Sequence, residues 1–315
     1  MINSKICDLL GITYPIFQGA MAWIADARLA GAVSEAGGLG IIASGNAPAT
    51  VIQNEIHTIR TLTDKPFGVN VMLMSPHAAA IAEMLAQEKV PVITTGAGNP
   101  ARYMAAWRES GAMVIPVVPS SAIAKLMQRT GASAVVAEGG ESGGHVGDLT
   151  TMALLPQVCD AVDIPVLGAG GIADGRGLAA ALMLGACGVQ MGTRFLVARE
   201  CGVHPTYKAK VLAAHDIDTL ATGRRLGHPV RSLKTPFSRW FAEKEYDPSV
   251  SNSDLEELGA GALRLAARKG DEEHGCFMAG QIAGLVTAEQ SAAEILAEVV
   301  TQADALLKGA SQWVA

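Results

Sequence analysis

Val166-Leu-Gly-Ala-Gly-Gly-Ile172 and Val189-Gln-Met-Gly-Thr-Arg-Phe195 are two short apolar runs that each end in glycine, with one helix-length segment between them. That spacing predicts a phosphate cup. In a (β/α)8 barrel the loops after strands seven and eight, with a helix N-terminus, turn converging main-chain N–H groups toward an anion, and glycine lets the anion approach the backbone. Gly170, Gly171, Gly192 and Thr193 are the cup residues, and Asp174 suits the cap of the following helix. Glycine at a strand end is also an ordinary turn device. Gln190 and Arg194 flank the second run, the former suited to the barrel interior and the latter to pairing with an acid. Upstream, Glu138-Gly-Gly-Glu-Ser-Gly-Gly-His145 follows another apolar run and sets an imidazole on the same rim. Together the three segments predict a phosphorylated cofactor beside a catalytic histidine.

Outward from these loops, β-rich apolar runs alternate with amphipathic or Ala-rich segments, as repeated βα units on a buried parallel sheet require. Strands are expected over 15–18, 39–43, 67–73, 90–94, 113–118, 134–137, 165–168 and 188–191, with helices over 26–36, 49–63, 77–87, 100–110, 120–130, 151–162 and 174–184. Eight such strands predict an α/β fold, a closed TIM (β/α)8 barrel. The rhythm stops after Leu196 and resumes with the Ala/Glu-rich stretch 288–308, a closing helix. Residues 1–197 and 275–315 are therefore expected to form the barrel, with 198–274 a smaller inserted lid or substrate subdomain between the eighth strand and the C-terminal helix.

Composition sets limits. The chain has 315 residues, 50% of them hydrophobic, enough for one large core with an appendage. Its net charge of −6 argues against nucleic acid as a partner. Five scattered cysteines, with no Cys-x-x-Cys pair and no zinc spacing, predict a reducing, cytoplasmic setting and no metal site. No signal-peptide pattern opens the sequence and no apolar run is long enough for a membrane span. Residues 199–244 run against the overall balance: nine Lys/Arg (Arg199, Lys208, Lys210, Arg224, Arg225, Arg231, Lys234, Arg239, Lys244) face four acids. Either a solvated surface or a landing patch for an anionic partner explains it.

Among side chains, His145 is the candidate for reaction chemistry, set between Gly143, Gly144 and Gly147 on the expected catalytic rim. His228, in a Gly-His-Pro turn, is a weaker candidate that touches substrate at most; the other histidines lack a constellation. Gly19, Ala20 and Met21, in Phe17-Gln-Gly-Ala-Met-Ala22, end the first strand with small residues that let backbone amides reach the edge of a flat ring, although Met21 has a plain core alternative. Asn70 places an amide on an apolar strand, which calls for a ligand or a structural hydrogen bond. Met278 and Gln281 lie among small residues in Cys276-Phe-Met-Ala-Gly-Gln-Ile-Ala-Gly284, an odd composition for a surface loop.

These segments resemble the FMN-dependent enoyl-acyl-carrier-protein reductase II (FabK type) within the nitronate monooxygenase/2-nitropropane dioxygenase family. The motifs are Gln18-Gly-Ala-Met21, Gly45-Asn-Ala-Pro48, Gly68-Val-Asn70, Glu141-Ser-Gly-Gly-His-Val-Gly147 with Leu149-Thr-Thr-Met152, Gly170-Gly-Ile-Ala-Asp174, Gly192-Thr-Arg-Phe195, Gly227-His-Pro-Val-Arg231 and Met278-Ala-Gly-Gln-Ile-Ala-Gly284. Ser142 stands where alanine is commoner in the family. The resemblance implies that Gly170, Gly171, Gly192 and Thr193 hold the FMN phosphate. It further implies that Gly19, Ala20, Met21, Asn70 and Glu138 line the flavin and ribityl chain, that Gly143, Gly144, Met278 and Gln281 complete the pocket, and that His145 is catalytic. It also implies NADH or NADPH as electron donor, an enoyl thioester on acyl carrier protein as substrate, a homodimer, and a monovalent cation as required by some relatives. The basic segment, through Arg224, Arg225, Arg231, Lys234 or Arg239, then suits docking of an acidic carrier protein. Nitronate oxidation by O2 is the rival on the same scaffold, and a flavin or phosphate sensor without catalysis is the remaining alternative. An inosinate-type dehydrogenase needs a cysteine after the sixth strand, and none stands between Pro119 and Val158.

Overall fold

The structure is a computed structural model that describes residues 2–313. Eleven strands run in chain order: β1 (Ile16–Gln18), β2 (Leu39–Ala43), β3 (Phe67–Met72), β4 (Val92–Gly96), β5 (Met113–Val118), β6 (Val135–Glu138), β7 (Gly144–His145), β8 (Val166–Ala169), β9 (Gly188–Met191), β10 (Thr219–Thr222) and β11 (Val230–Leu233). Eight of them close a parallel barrel in the order β1-β2-β3-β4-β5-β6-β8-β9, with β1 pairing back onto β9 through Phe17 and Gln190. The α/β barrel expected from the alternation is therefore the fold. Strand edges differ from expectation by a residue or two, because burial on both faces leaves no alternation to mark where a strand stops.

Apolar side chains fill both sides of the sheet. Inside, Phe17, Leu39, Ile41, Val92, Ile115, Val136 and Leu167 form the barrel core, stoppered at one end by Ile6, Leu10 and Ile12. The stopper is the helix Lys5–Leu10, capped by Ser4, whose hydroxyl accepts from the Ile6 N–H. At six residues it carries too little periodicity to be anticipated. Burying Ile6 and Leu10 is worth about 1.5–3 kcal/mol each. Outside, the helices pack on the sheet through a second, larger core. The expected closing helix is Ala292–Gly309, which starts at a Ser291/Glu294 capping box and packs on Gly175–Met183, where Gln302 accepts the Gly175 N–H at 2.8 Å.

Residues 198–274 contain β10, β11 and the helices Pro205–Leu212, Pro236–Glu245 and Asn252–Gly259. Tyr207, Val211 and Leu233 from this stretch enter the large outer core, whereas Phe237, Phe241, Leu255 and Ala262 build a small separate one with Cys276. β11 pairs antiparallel both with β10 and with the two-residue β7, so that Val230 lies opposite His145 and Arg231 opposite Gly144. A strand from the segment after the barrel thus holds the stretch that carries the candidate catalytic residue. No helix among the described residues is long and apolar enough to cross a membrane.

Candidate active site at the C-terminal rim of the barrel

At the ends of β8 and β9 the chain turns through Gly170 (φ +85°) and Gly171 (φ +71°), left-handed conformations that disfavour any side chain. A Cβ on Gly170 would meet the Gly139 carbonyl oxygen at 2.7 Å. The N–H groups of Gly170, Gly171, Gly192 and Thr193 donate to no protein acceptor among the described residues. Backbone donors left open at the bottom of a cavity suit an anion with several oxygens. The Thr193 hydroxyl accepts from the Gly280 N–H at 2.9 Å, which ties the cup to the Met278–Gln281 stretch. Asp174 caps the next helix, accepting the Arg176 N–H at 2.9 Å, and the buried Arg194 pairs with Gln290 and Glu298 outside the cup.

The His145 loop is braced from three directions. The Glu141 carboxylate accepts from the Thr151 N–H at 3.0 and 2.9 Å and from its hydroxyl at 3.0 Å, closing the N-terminus of the helix Thr151–Cys159. The Arg231 guanidinium donates to the Gly140 carbonyl at 3.2 and 3.0 Å and to the Thr219 hydroxyl at 3.2 Å. Gly143 lies so close to the Ala279–Gly280 backbone that a Cβ there would stand 2.6 Å from the Ala279 carbonyl carbon. Side chains and main chain both hold the loop in place.

The His145 ring faces that of His228, with centroids 6.2 Å apart and planes inclined by 43°. His145 keeps an exposed edge at the cavity, and desolvation by the surrounding chain, with His228 secondarily, pushes its pKa below the usual value, which favours the neutral imidazole. In the turn that precedes His228, the buried Glu245 carboxylate accepts the N–H groups of Gly223 at 2.9 Å and Arg225 at 2.8 Å. The His228 Nδ1 atom is buried without a hydrogen-bond partner among the described residues. An imidazole nitrogen in that state at a cavity wall is set up to meet a ligand.

One cavity of about 990 Å³ joins these parts. It is lined by Gly19, Ala20, Met21, Asn70, Glu138, Gly143, Gly144, His145, Gly170, Gly171, Gly192, Thr193 and Met278. The structure therefore brings together every candidate residue except Gln281, which is exposed and outside the lining; its N–H donates to the Glu141 carbonyl at 2.9 Å. Asn70 uses its amide N–H on the Thr94 hydroxyl at 3.0 Å, so its carbonyl oxygen is the group left for a ligand. Glu138 is enclosed by protein yet open to the cavity, and burial pushes its carboxyl up to about 7, with the Ser142 hydroxyl opposing the rise. The Met278 carbonyl accepts from the Tyr207 hydroxyl at 2.7 Å.

Sequence reasoning passed over Trp23, Phe237, Phe241 and Arg264, all of which line the cavity. Trp23 adjoins the Gln18-Gly-Ala-Met21 motif and was findable by proximity; the others arrive from far along the chain. The basic segment is corrected in part. Arg231 is occupied within the protein, and Arg225 donates to the carbonyls of Glu245 at 3.2 Å and Val250 at 2.6 Å. Arg199, Lys208 and Lys210 pair with Glu294, Glu289 and Glu272. Lys234 and Arg239 are exposed with no ion pair among the described residues, and Arg224 reaches Asp148 only at 3.6 Å.

The fold and site define a (β/α)8 barrel in which a glycine cup and an imidazole open into the same cavity. The chain belongs to the nitronate monooxygenase family, whose model matches residues 3–88 and 78–302. Over its full length it is 46% identical to FabK from Thermotoga maritima, with a TM-score of 0.97 and 100% of both chains covered. It is 30% identical to a nitroalkane oxidase from Streptomyces ansochromogenes, TM-score 0.87, covering 98% of this chain and 100% of the other. A curated relative, the (3aS,4S,5R,7aS)-5-hydroxy-7a-methyl-1-oxo-octahydro-1H-indene-4-carboxyl-CoA dehydrogenase of Rhodococcus jostii, is 42% identical over 74% of this chain, a match that spans 66% of that protein's length.

Proposed function

We propose that this chain is an FMN-dependent reductase of enoyl thioesters that takes its electrons from NADH or NADPH, with an acyl-carrier-protein thioester as substrate. The observation that carries the reading is that the imidazole of His145 opens into the same cavity as the open glycine cup. The residues present fit FMN. Gly170, Gly171, Gly192 and Thr193 would take its phosphate; Gly19, Ala20, Met21, Asn70, Glu138, Gly143, Gly144 and Met278 would enclose the rest. When bound, the flavin supplies hydride transfer from the nicotinamide to the β-carbon of the enoyl thioester.

The chain's own contribution is orientation and charge control. A thioester carbonyl gains negative charge as the β-carbon is reduced, and a neutral imidazole with a free N–H holds that oxygen better than it delivers a proton. His145 is assigned that role, with the α-carbon proton coming from solvent. Similarity supports a thioester over a nitroalkane: the FabK and carboxyl-CoA dehydrogenase matches run at 46% and 42% identity, against 30% for the nitroalkane oxidase.

The test is an anaerobic titration of the purified holoenzyme with NADH and NADPH, followed by crotonyl thioester. Bleaching of the flavin and its return on adding the thioester is the expected result. An oxidised flavin that ignores both nicotinamides while nitronate is turned over in air would overturn the reading in favour of nitronate oxidation. Omitting K⁺ and Na⁺ in parallel tests the monovalent cation, and sedimentation tests the homodimer.

A further inference from the structure

At the cavity rim the Arg264 guanidinium lies over the Trp23 indole, 5.1 Å from the ring centroid. Both residues line the cavity, and both are exposed, Trp23 at 37%. Trp23 holds a left-handed backbone (φ +67°), an outlier for so bulky a residue. Strained conformations of this kind persist where the surroundings over-determine them and cluster at ligand clamps. Ala97, on the same cavity wall, is a second such residue (φ +55°).

Several basic side chains at the surface have acidic neighbours, as Arg199 has Glu294, Lys210 has Glu272 and Arg60 has Glu88. Arg264 has no carboxylate partner among the described residues. An indole under a guanidinium fixes its plane and shields one face while leaving the edge N–H donors open. Those donors form a fork whose spacing matches two phosphoryl oxygens. A Cβ on Gly261, three residues before, would meet nothing within 4 Å.

We propose that Arg264, seated on Trp23, is a subsite for a phosphoryl anion on the long ligand that enters over the cofactor. The proposal rests on the function given above, because both ligands of that reaction fit the chemistry: the pantetheine arm of a thioester and the nicotinamide dinucleotide each carry phosphate away from the reacting atom. Arg264 would then set which phosphorylated ligand is held.

The experiment uses the FMN-loaded full chain and Arg264→Met, with Arg264→Lys as the variant that keeps charge and loses the fork; flavin content and melting temperature report folding. Calorimetry compares 4′-phosphopantetheine with pantetheine. Stopped-flow flavin reduction compares NADH with reduced nicotinamide riboside. In one of these pairs the native protein should favour the phosphorylated ligand about tenfold or more, as a charge-assisted contact gives. Arg264→Met should erase that preference and Arg264→Lys should keep part of it. The pair that responds identifies the source of the phosphate. A preference untouched by Arg264→Met in both pairs, or equal weakening of phosphorylated and unphosphorylated ligands, overturns the proposal. Calorimetry needs no turnover, so an Arg264-dependent preference in a protein that fails to reduce crotonyl thioester would sink the function and keep the subsite.

Discussion

His145 sits where two effects oppose each other. Burial disfavours its charged form, while the reaction proposed for it wants a donor toward a developing oxyanion. A neutral imidazole satisfies both. Replacing His145 with alanine is expected to lower kcat by about 10²–10⁴ with flavin content unchanged, as loss of one positioned donor or acid does. With its pKa below the usual 6.5, kcat should stay level from pH 7 to 9 and change only on acidification; a tenfold fall per pH unit across that range would instead make the protonated ring the acting species. Glu138 gives a second pH signature. Its carboxyl titrates near 4.5 in an unfolded chain and at about 7 here, so between those values the folded protein holds a proton that the unfolded chain has lost. Stability of the FMN-free protein from this group is therefore present below about 4.5 and is lost as pH rises toward 7, by at most about 3 kcal/mol. Glu138→Gln should flatten that slope in chemical denaturation series at pH 5 and pH 7.5.

At the scale of elements, one side chain from β11 is among the three braces of the loop between β6 and the helix Thr151–Cys159. Arg231 is held below its ordinary pKa by burial and by Arg224, with Glu141 opposing, yet it stays charged and gives the Gly140 carbonyl two guanidinium bonds. Arg231→Met keeps the stem and removes those bonds, a loss of about 1.5–3 kcal/mol. The loop should loosen and FMN should dissociate roughly tenfold more readily, read by flavin fluorescence on dilution; unchanged retention would show that Glu141 and Gly143 suffice.

The helices and barrel strands were legible because each repeats one pattern, an apolar run, a turn and an amphipathic stretch. His145 and the cup glycines were legible for a related reason: they close strands whose ends a barrel must gather on one rim. β7 was not, because two residues carry no period and become a strand only when β11 arrives from more than eighty residues later. The same holds for Arg231. Its sequence neighbours suggest a surface charge, and only tertiary pairing turns it inward. Gln281 shows the converse, a motif residue whose side chain has no place in the cavity lining although its main chain anchors the neighbouring loop.

For the whole molecule, a chain of net charge −6 presents Lys234 and Arg239 at its surface. Helix Pro236–Glu245 directs Phe237 and Phe241 toward the cavity and carries Arg239 on its exposed side, with Lys234 just before it. If an acidic carrier protein docks there, Lys234→Glu with Arg239→Glu should raise KM for the carrier-linked thioester several-fold in low salt and far less near 1 M salt, where charges are screened within about 3 Å. An equal rise for a short free thioester would reject the docking surface. The β11–β7 pairing reaches further than this one face. Since Val230 lies opposite His145, exchanging 198–274 for the equivalent stretch of a relative would alter acyl preference and imidazole alignment in one stroke. Chimeras in this family should therefore either inherit turnover along with selectivity or lose both, and divergence in substrate range is expected to proceed by point changes on the cavity wall rather than by swapping the whole module.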